Sequence, residues 1–156
     1  MVLDVSNALK FPGQSFGFSV SGAYEPMCAA GETLRFTGPV SVSGNYVFTG
    51  EDILLRGTIK ANYVAACGRC LKDVFSELTV SFSEEFARTA DEEHPDRYLY
   101  SGEKLELDRM AGDLISLNGP MRHLCGEDCR GLCPICGADK NTAQCNCPPP
   151  AENGSL

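Results

Sequence analysis

Eight of the nine cysteines in this 156-residue chain fall in four close pairs: Cys67/Cys70, Cys125/Cys129, Cys133/Cys136 and Cys145/Cys147. The ninth, Cys28, stands alone and reads as a small buried hydrophobe. Met1 to Asn7 shows no basic region followed by an apolar run, so no secretory signal is read there and a cytoplasmic, reducing setting is expected. In such a setting structural disulfides are rare, and clustered thiols point to metal. Eight thiolates are the number that two four-cysteine zinc sites require.

The pairs differ in detail. Cys133-Pro134-Ile135-Cys136-Gly137 has the form of a zinc knuckle: a tight turn lets both sulfurs face one ion, and the glycine lets backbone N–H groups approach them. Cys145-Asn146-Cys147 follows after a short loop that could close the tetrahedron. Cys67-Gly68-Arg69-Cys70 has two readings. Its spacing matches a thiol-redox motif, in which the first cysteine sits at a helix N-terminus and its pKa falls. The stretch after it, Val74 to Phe86, has strand periodicity, which favours a knuckle at the tip of a β-hairpin. That knuckle needs two more ligands. Spacing leaves three arrangements open: Cys67/Cys70 with Cys125/Cys129; Cys67/Cys70 with Cys133/Cys136, leaving Cys125/Cys129 with Cys145/Cys147; or a single zinc with some thiols free. His123, two residues before Cys125, is a candidate substitute ligand. A closed four-cysteine site has no vacancy for substrate, so zinc here is expected to fasten the C-terminal segment to the sheet.

The rest of the chain reads as sheet. Phe16, Phe18 and Val20 alternate with small residues, Gly22 to Gly31 looks like a loop, and Leu34 and Phe36 alternate again. Val40, Val42, Tyr46 and Phe48 keep even positions, with a bulge or bend expected at Gly44. After a turn at Thr49 to Asp52, Ile53, Leu55, Ile59, Ala61, Tyr63 and Ala65 keep odd positions, and Val74, Leu78, Val80, Phe82 and Phe86 return to even ones. Period two over three consecutive segments predicts an antiparallel meander with one solvated face. Asp91 to Asp96, with His94, reads as an exposed acidic loop. Asp108 looks like the N-cap of a short helix with Met110, Leu114 and Leu117 near one face, ended by Asn118-Gly119-Pro120.

A net charge of −8 excludes a broad basic surface that coats nucleic acid by charge alone. Of the 21 acids, eight lie between residues 91 and 120, against three bases. Arg69, Lys72, Arg122, Arg130 and Lys140 lie within or beside the cysteine pairs, so zinc assembly would gather them into a local RNA or partner surface. No Ser-His-Asp order, phosphate-binding glycine loop or H-E-x-x-H motif is present, and nothing indicates an enzyme.

Cys67-Gly-Arg-Cys70-Leu71, the following strand and Glu84-Glu85-Phe86 resemble the hairpin of the YceD family, the large ribosomal RNA subunit accumulation proteins. Leu105 to Pro120, Leu124-Cys125-Gly-Glu-Asp-Cys129-Arg-Gly-Leu-Cys133-Pro-Ile-Cys136-Gly and Asn141 to Cys147 resemble its C-terminal half. The resemblance covers roughly residues 30–147 and departs at Asn118-Gly119-Pro120, where a more apolar run is expected. It implies a cytoplasmic bacterial or plastid protein needed for accumulation or processing of large-subunit ribosomal RNA, metal- or nucleic-acid-binding and without known catalysis. It also implies Cys67, Cys70, Cys133 and Cys136 as zinc ligands, with Cys125, Cys129, Cys145 and Cys147 as fuller members of the pattern.

The expected fold is mainly β (α+β): an antiparallel meander or barrel-like sheet with one or two short helices and a zinc-bound C-terminal segment. Residues 1–120 form the β domain, with a helix near 108–118. Residues 121–147 form the cysteine-rich segment packed on the 66–72 hairpin, and 148–156 a disordered tail. The expected function is a non-catalytic zinc-binding factor in large-subunit ribosomal RNA accumulation, partnered by pre-ribosomal RNA or a ribosome-assembly protein, with no membrane and no small-molecule substrate. The alternatives are a zinc-stapled protein–protein adaptor and a thiol oxidoreductase using Cys67 and Cys70.

Overall fold

The alternating segments form strands, and the two longest are joined by the first cysteine pair. A computed structural model describes residues 1–90, 92, 95 and 97–148. The elements in it are β1 (Val2–Asp4), α1 (Ser6–Lys10), β2 (Ser15–Gly22), β3 (Met27–Ala29), β4 (Glu32–Phe36), β5 (Val40–Phe48), β6 (Ile53–Ala66), β7 (Asp73–Ala87), β8 (Tyr98–Leu99), β9 (Lys104–Glu106) and α2 (Asp108–Asn118). The acidic-loop residues Asp91, Glu93, His94 and Asp96, and the tail at 149–156, lie outside the described residues.

The meander β5–β6–β7 is antiparallel throughout, with β2 on the far side of β5. The whole of β6 pairs with β7. On its other flank β6 pairs with β5 over Ile53 to Lys60 and with β4 at Tyr63 and Val64. The β6–β7 hairpin therefore runs on beyond the end of β5 and carries its tip, residues 67–72, away from the centre of the sheet. The sheet is open, not a closed barrel. A separate two-stranded pair joins β1 to β9.

Alternation decides which face is wet. Ile53, Leu55, Ile59, Ala61, Tyr63 and Ala65 of β6 are buried, as are Val80, Phe82 and Phe86 of β7. Ala8 of α1, Met110, Ala111 and Ile115 of α2, and Leu3 and Leu105 of the β1–β9 pair cover them in one continuous core. Each large side chain so buried contributes about 1.5–3 kcal/mol.

Five local expectations change. Residues 27–29 of the supposed loop form β3, which pairs with β4 through Met27 and Leu34. Gly44 does not bulge. It stays in register opposite Gly57, and a Cβ there would lie 2.0 Å from the Arg56 carbonyl oxygen, so the pair lets two backbones approach more closely than side chains permit. Asp108 is the first helical residue rather than the cap: it makes no side-chain cap, and its carboxylate pairs with the amine of Met1. The buried helix face is Met110, Ala111 and Ile115, with Leu114 partly buried against the core, while Leu117 is exposed, because α2 packs between β3 and β7 and leaves that edge of its last turn in solvent. Cys28 is exposed on the short strand β3, not a buried hydrophobe.

Candidate metal centres

A strand pair that outruns its neighbours has to be finished by something else, and here the finish is sulfur. At the tip, the Cys67 N–H donates to the Lys72 carbonyl (2.8 Å) and the Leu71 N–H to the Cys67 carbonyl (2.9 Å). This turn brings Cys67 and Cys70 to one side of the hairpin. The chain after Pro120 lies against the tip: the Gly68 N–H donates to the His123 carbonyl (2.8 Å) and the Leu132 N–H to the Arg69 carbonyl (3.0 Å). Gly131 adopts φ +71°, and a Cβ there would stand 2.9 Å from the Arg69 carbonyl oxygen, so only glycine passes this point without displacing the hairpin.

Two sulfur tetrads result. Cys67, Cys70, Cys125 and Cys129 form the first, and Cys133, Cys136, Cys145 and Cys147 the second; within each group all sulfurs lie within 4.8 Å of one another. In the first, Cys67 and Cys129 sulfurs are 3.8 Å apart and those of Cys70 and Cys125 3.5 Å. A disulfide would need about 2.0 Å. Four sulfurs at about 2.3 Å around a tetrahedral zinc are separated by roughly 3.8 Å, so the spacing fits a metal tetrahedron. Either group could hold a metal ion. Of the arrangements left open by spacing, the chain adopts Cys67/Cys70 with Cys125/Cys129, and Cys133/Cys136 with Cys145/Cys147.

The electrostatics point the same way. Burial raises the Cys67 thiol, but the backbone N–H groups of Arg69, Cys70 and Cys125 outweigh it and bring the pKa down to about 6. Contact with Cys129 and Cys70 pushes Cys125 up to about 12. In the second group the N–H groups of Cys136 and Ile135 bring Cys133 down to about 6, while contact with Cys136 pushes Cys147 up to about 12. Each group thus supports some thiolate charge and resists the rest. A divalent cation at the centre removes that conflict.

The surroundings hold the sulfurs in place. The Asn141 amide donates to the Cys129 sulfur (3.5 Å), and its oxygen accepts from the Arg130 N–H (2.8 Å). Arg69 donates to the carbonyls of Glu127 (3.1 Å) and Cys129 (3.0 Å). Lys72 pairs with Asp139 at 2.6 Å. These two cations therefore serve the internal joint between hairpin and segment. Arg122 lies beside Gly68, whereas Arg130 and Lys140 line an open cleft of about 420 Å³ against the second tetrad.

His123 is not a substitute ligand. It is 4% exposed, with Nε2 2.9 Å from the Tyr63 hydroxyl and Nδ1 2.5 Å from a Glu32 carboxylate oxygen. This chain of contacts ties the segment to β6 and β4. No signal in the sequence marks Glu32 or Tyr63, which are 91 and 60 residues away; Asn141 belongs to the stretch that carries the family resemblance, but its place beside Cys129 is created only by the folded segment. The thiol-redox reading finds no helix after Cys70, where β7 begins instead.

Among the described residues no helix is long and apolar enough to cross a membrane. A family model described as "Large ribosomal RNA subunit accumulation protein YceD" matches residues 55–154. Uncharacterized proteins of Mycobacterium tuberculosis and Mycobacterium bovis are each 34% identical over 94 residues, covering 56% of this chain and 44% of theirs. One from Mycobacterium leprae is 27% identical over 110 residues, 67% of this chain and 50% of that protein. The chain thus spans about half the length of the curated relatives it matches. No solved structure matches.

Proposed function

The chain belongs to the YceD family of large ribosomal RNA subunit accumulation proteins, and we propose that it is a non-catalytic, zinc-binding factor that contacts pre-ribosomal RNA during large-subunit assembly in the cytoplasm. Two four-sulfur groups carry the reading. All-cysteine tetrads suit a soft cation such as zinc, and a tetrahedron closed by four protein ligands leaves no open position for substrate, so the metal's work is architectural. The eight cysteines are the ligands, and Arg122, Arg130 and Lys140 are the basic residues near them left free for RNA, since Arg69 and Lys72 are committed to the joint.

One observation favours a protein partner as well. Leu71 at the hairpin tip is 65% exposed at φ +62°, and Phe75 just beyond it is 76% exposed. An exposed apolar side chain in a conformation that costs a non-glycine residue about 1–2 kcal/mol supports an adaptor role for this end of the molecule.

Metal analysis with thiol titration tests the zinc reading. The expected result is two zinc ions per chain with Cys28 as the one freely reacting thiol. Metal-free protein with eight more titrating thiols would remove the zinc reading and restore the oxidoreductase alternative.

A further inference from the structure

Of the cations outside the cysteine segment, several have an evident internal use: Arg35, Arg97 and Arg109 each reach a carboxylate. Arg56 and Lys60 do not. Both project from the outer face of β6, the face turned away from the core, and both are exposed. Strand register shows what surrounds them. Lys60 lies between Ser41 of β5 and Thr79 of β7, and Arg56 between Asn45 and Ser83. The row between these two carries hydroxyls alone, and β2 continues the three rows with two serines and a glycine. Not one carboxylate occurs in these rows, although acids outnumber bases 21 to 13 in the chain. The nearest acids on this face, Glu77 and Glu85, stand at its two ends.

A solvated sheet face ordinarily places opposite charges across neighbouring strands, which stabilises the pairing by about 0.2–1 kcal/mol. Here Arg56 meets only the Ser83 hydroxyl, at 3.2 Å, and among the described residues neither cation forms an ion pair. The rows also lack an aromatic or aliphatic side chain, the usual anchor of a protein interface and the usual platform for an unstacked base. What they offer is two free positive charges about 13 Å apart along one strand, set in a low field of hydroxyl and amide groups. Those groups suit phosphate oxygens and 2′-hydroxyls.

We propose, resting on the ribosomal RNA reading above, that the outer face of β2, β5, β6 and β7 docks the sugar–phosphate backbone of an RNA helix through Arg56 and Lys60. This surface is distinct from the basic residues beside the cysteines. It is sequence-tolerant, since nothing in it reads a base edge.

Fluorescence anisotropy of the zinc-loaded full chain with a short mixed-sequence RNA duplex, over a series of salt concentrations, tests it. Arg56→Ala with Lys60→Ala should weaken binding about 10-fold at low salt and flatten the slope of log K against log salt by roughly 1.5, as expected for two lost phosphate contacts. Both side chains are exposed, so the melting temperature should hold, and a circular-dichroism melt verifies this. An undiminished affinity and slope in the double variant would overturn the proposal. If Arg122→Ala, Arg130→Ala and Lys140→Ala together abolish binding while the sheet variant binds normally, the RNA reading stands and this face is wrong. A wild-type chain that binds no duplex at low salt overturns both.

Discussion

The β domain and the cysteine segment are held by different forces. In the domain, 24 buried apolar side chains form one continuous core between the sheet and its helices. Beyond residue 120 the buried side chains among the described residues are His123, Cys129 and Cys133; Leu124 and Leu132 are only half-buried. A stretch with so little apolar burial cannot offset the backbone entropy of its own ordering, about 1–2 kcal/mol per residue. Structural zinc sites contribute on the order of 10–16 kcal/mol, which is the scale required. The first region folds because oil leaves water; the second carries two four-sulfur groups that could hold metal ions, and Arg69 and His123 tie it to the sheet.

The largest expected effect comes from removing metal. Under a strong chelator, amide hydrogen exchange should rise across 121–148 and the hairpin tip, while β5 and the middle of β6 keep their protection. Loss should proceed in two steps. The second tetrad, with Cys136 exposed and Cys145 and Cys147 half-buried, should empty before the first, where Cys67, Cys70 and Cys129 are 0%, 5% and 7% exposed. Protection lost evenly over the whole chain would erase the distinction between the regions.

A smaller effect sharpens it. His123→Ala removes contacts to Tyr63 and Glu32 and leaves a buried hydroxyl without its partner, a cost of about 1–3 kcal/mol. In the cobalt-substituted protein, whose thiolate absorption reports each centre, the affinity of the first tetrad should fall about 10-fold while that of the second is unchanged. Equal weakening of both would mean that His123 serves general stability and not the joint. The smallest effect is expected from Gly131→Ala: the left-handed conformation and the 2.9 Å approach to the Arg69 carbonyl should lower stability by about 1–2 kcal/mol, read as a drop in melting temperature with both centres still loaded.

The meander was legible because period two is a strong signal: wherever apolar residues alternated from Val40 to Phe86, a strand formed in that phase. Short elements were not. β3 and β1 have three residues each, too few for any pattern, and they exist because β4 and β9 lie beside them. Cys28 looked like core because cysteine usually is, yet its strand is short and turns that position outward. Leu117 falls outside the buried stripe of α2 for a similar reason: the partner surfaces β3 and β7 select which stripe of a short helix is buried.

From the residues alone came the sheet, the eight sulfurs and the hairpin that bears the first pair, since alternation and close spacing are local properties of the chain. Which pairs share a centre, what His123 touches and which cations stay free were settled only by the fold. Those depend on contacts 55 to 91 residues apart, and their geometry is set by where a 14-residue strand outruns its neighbour.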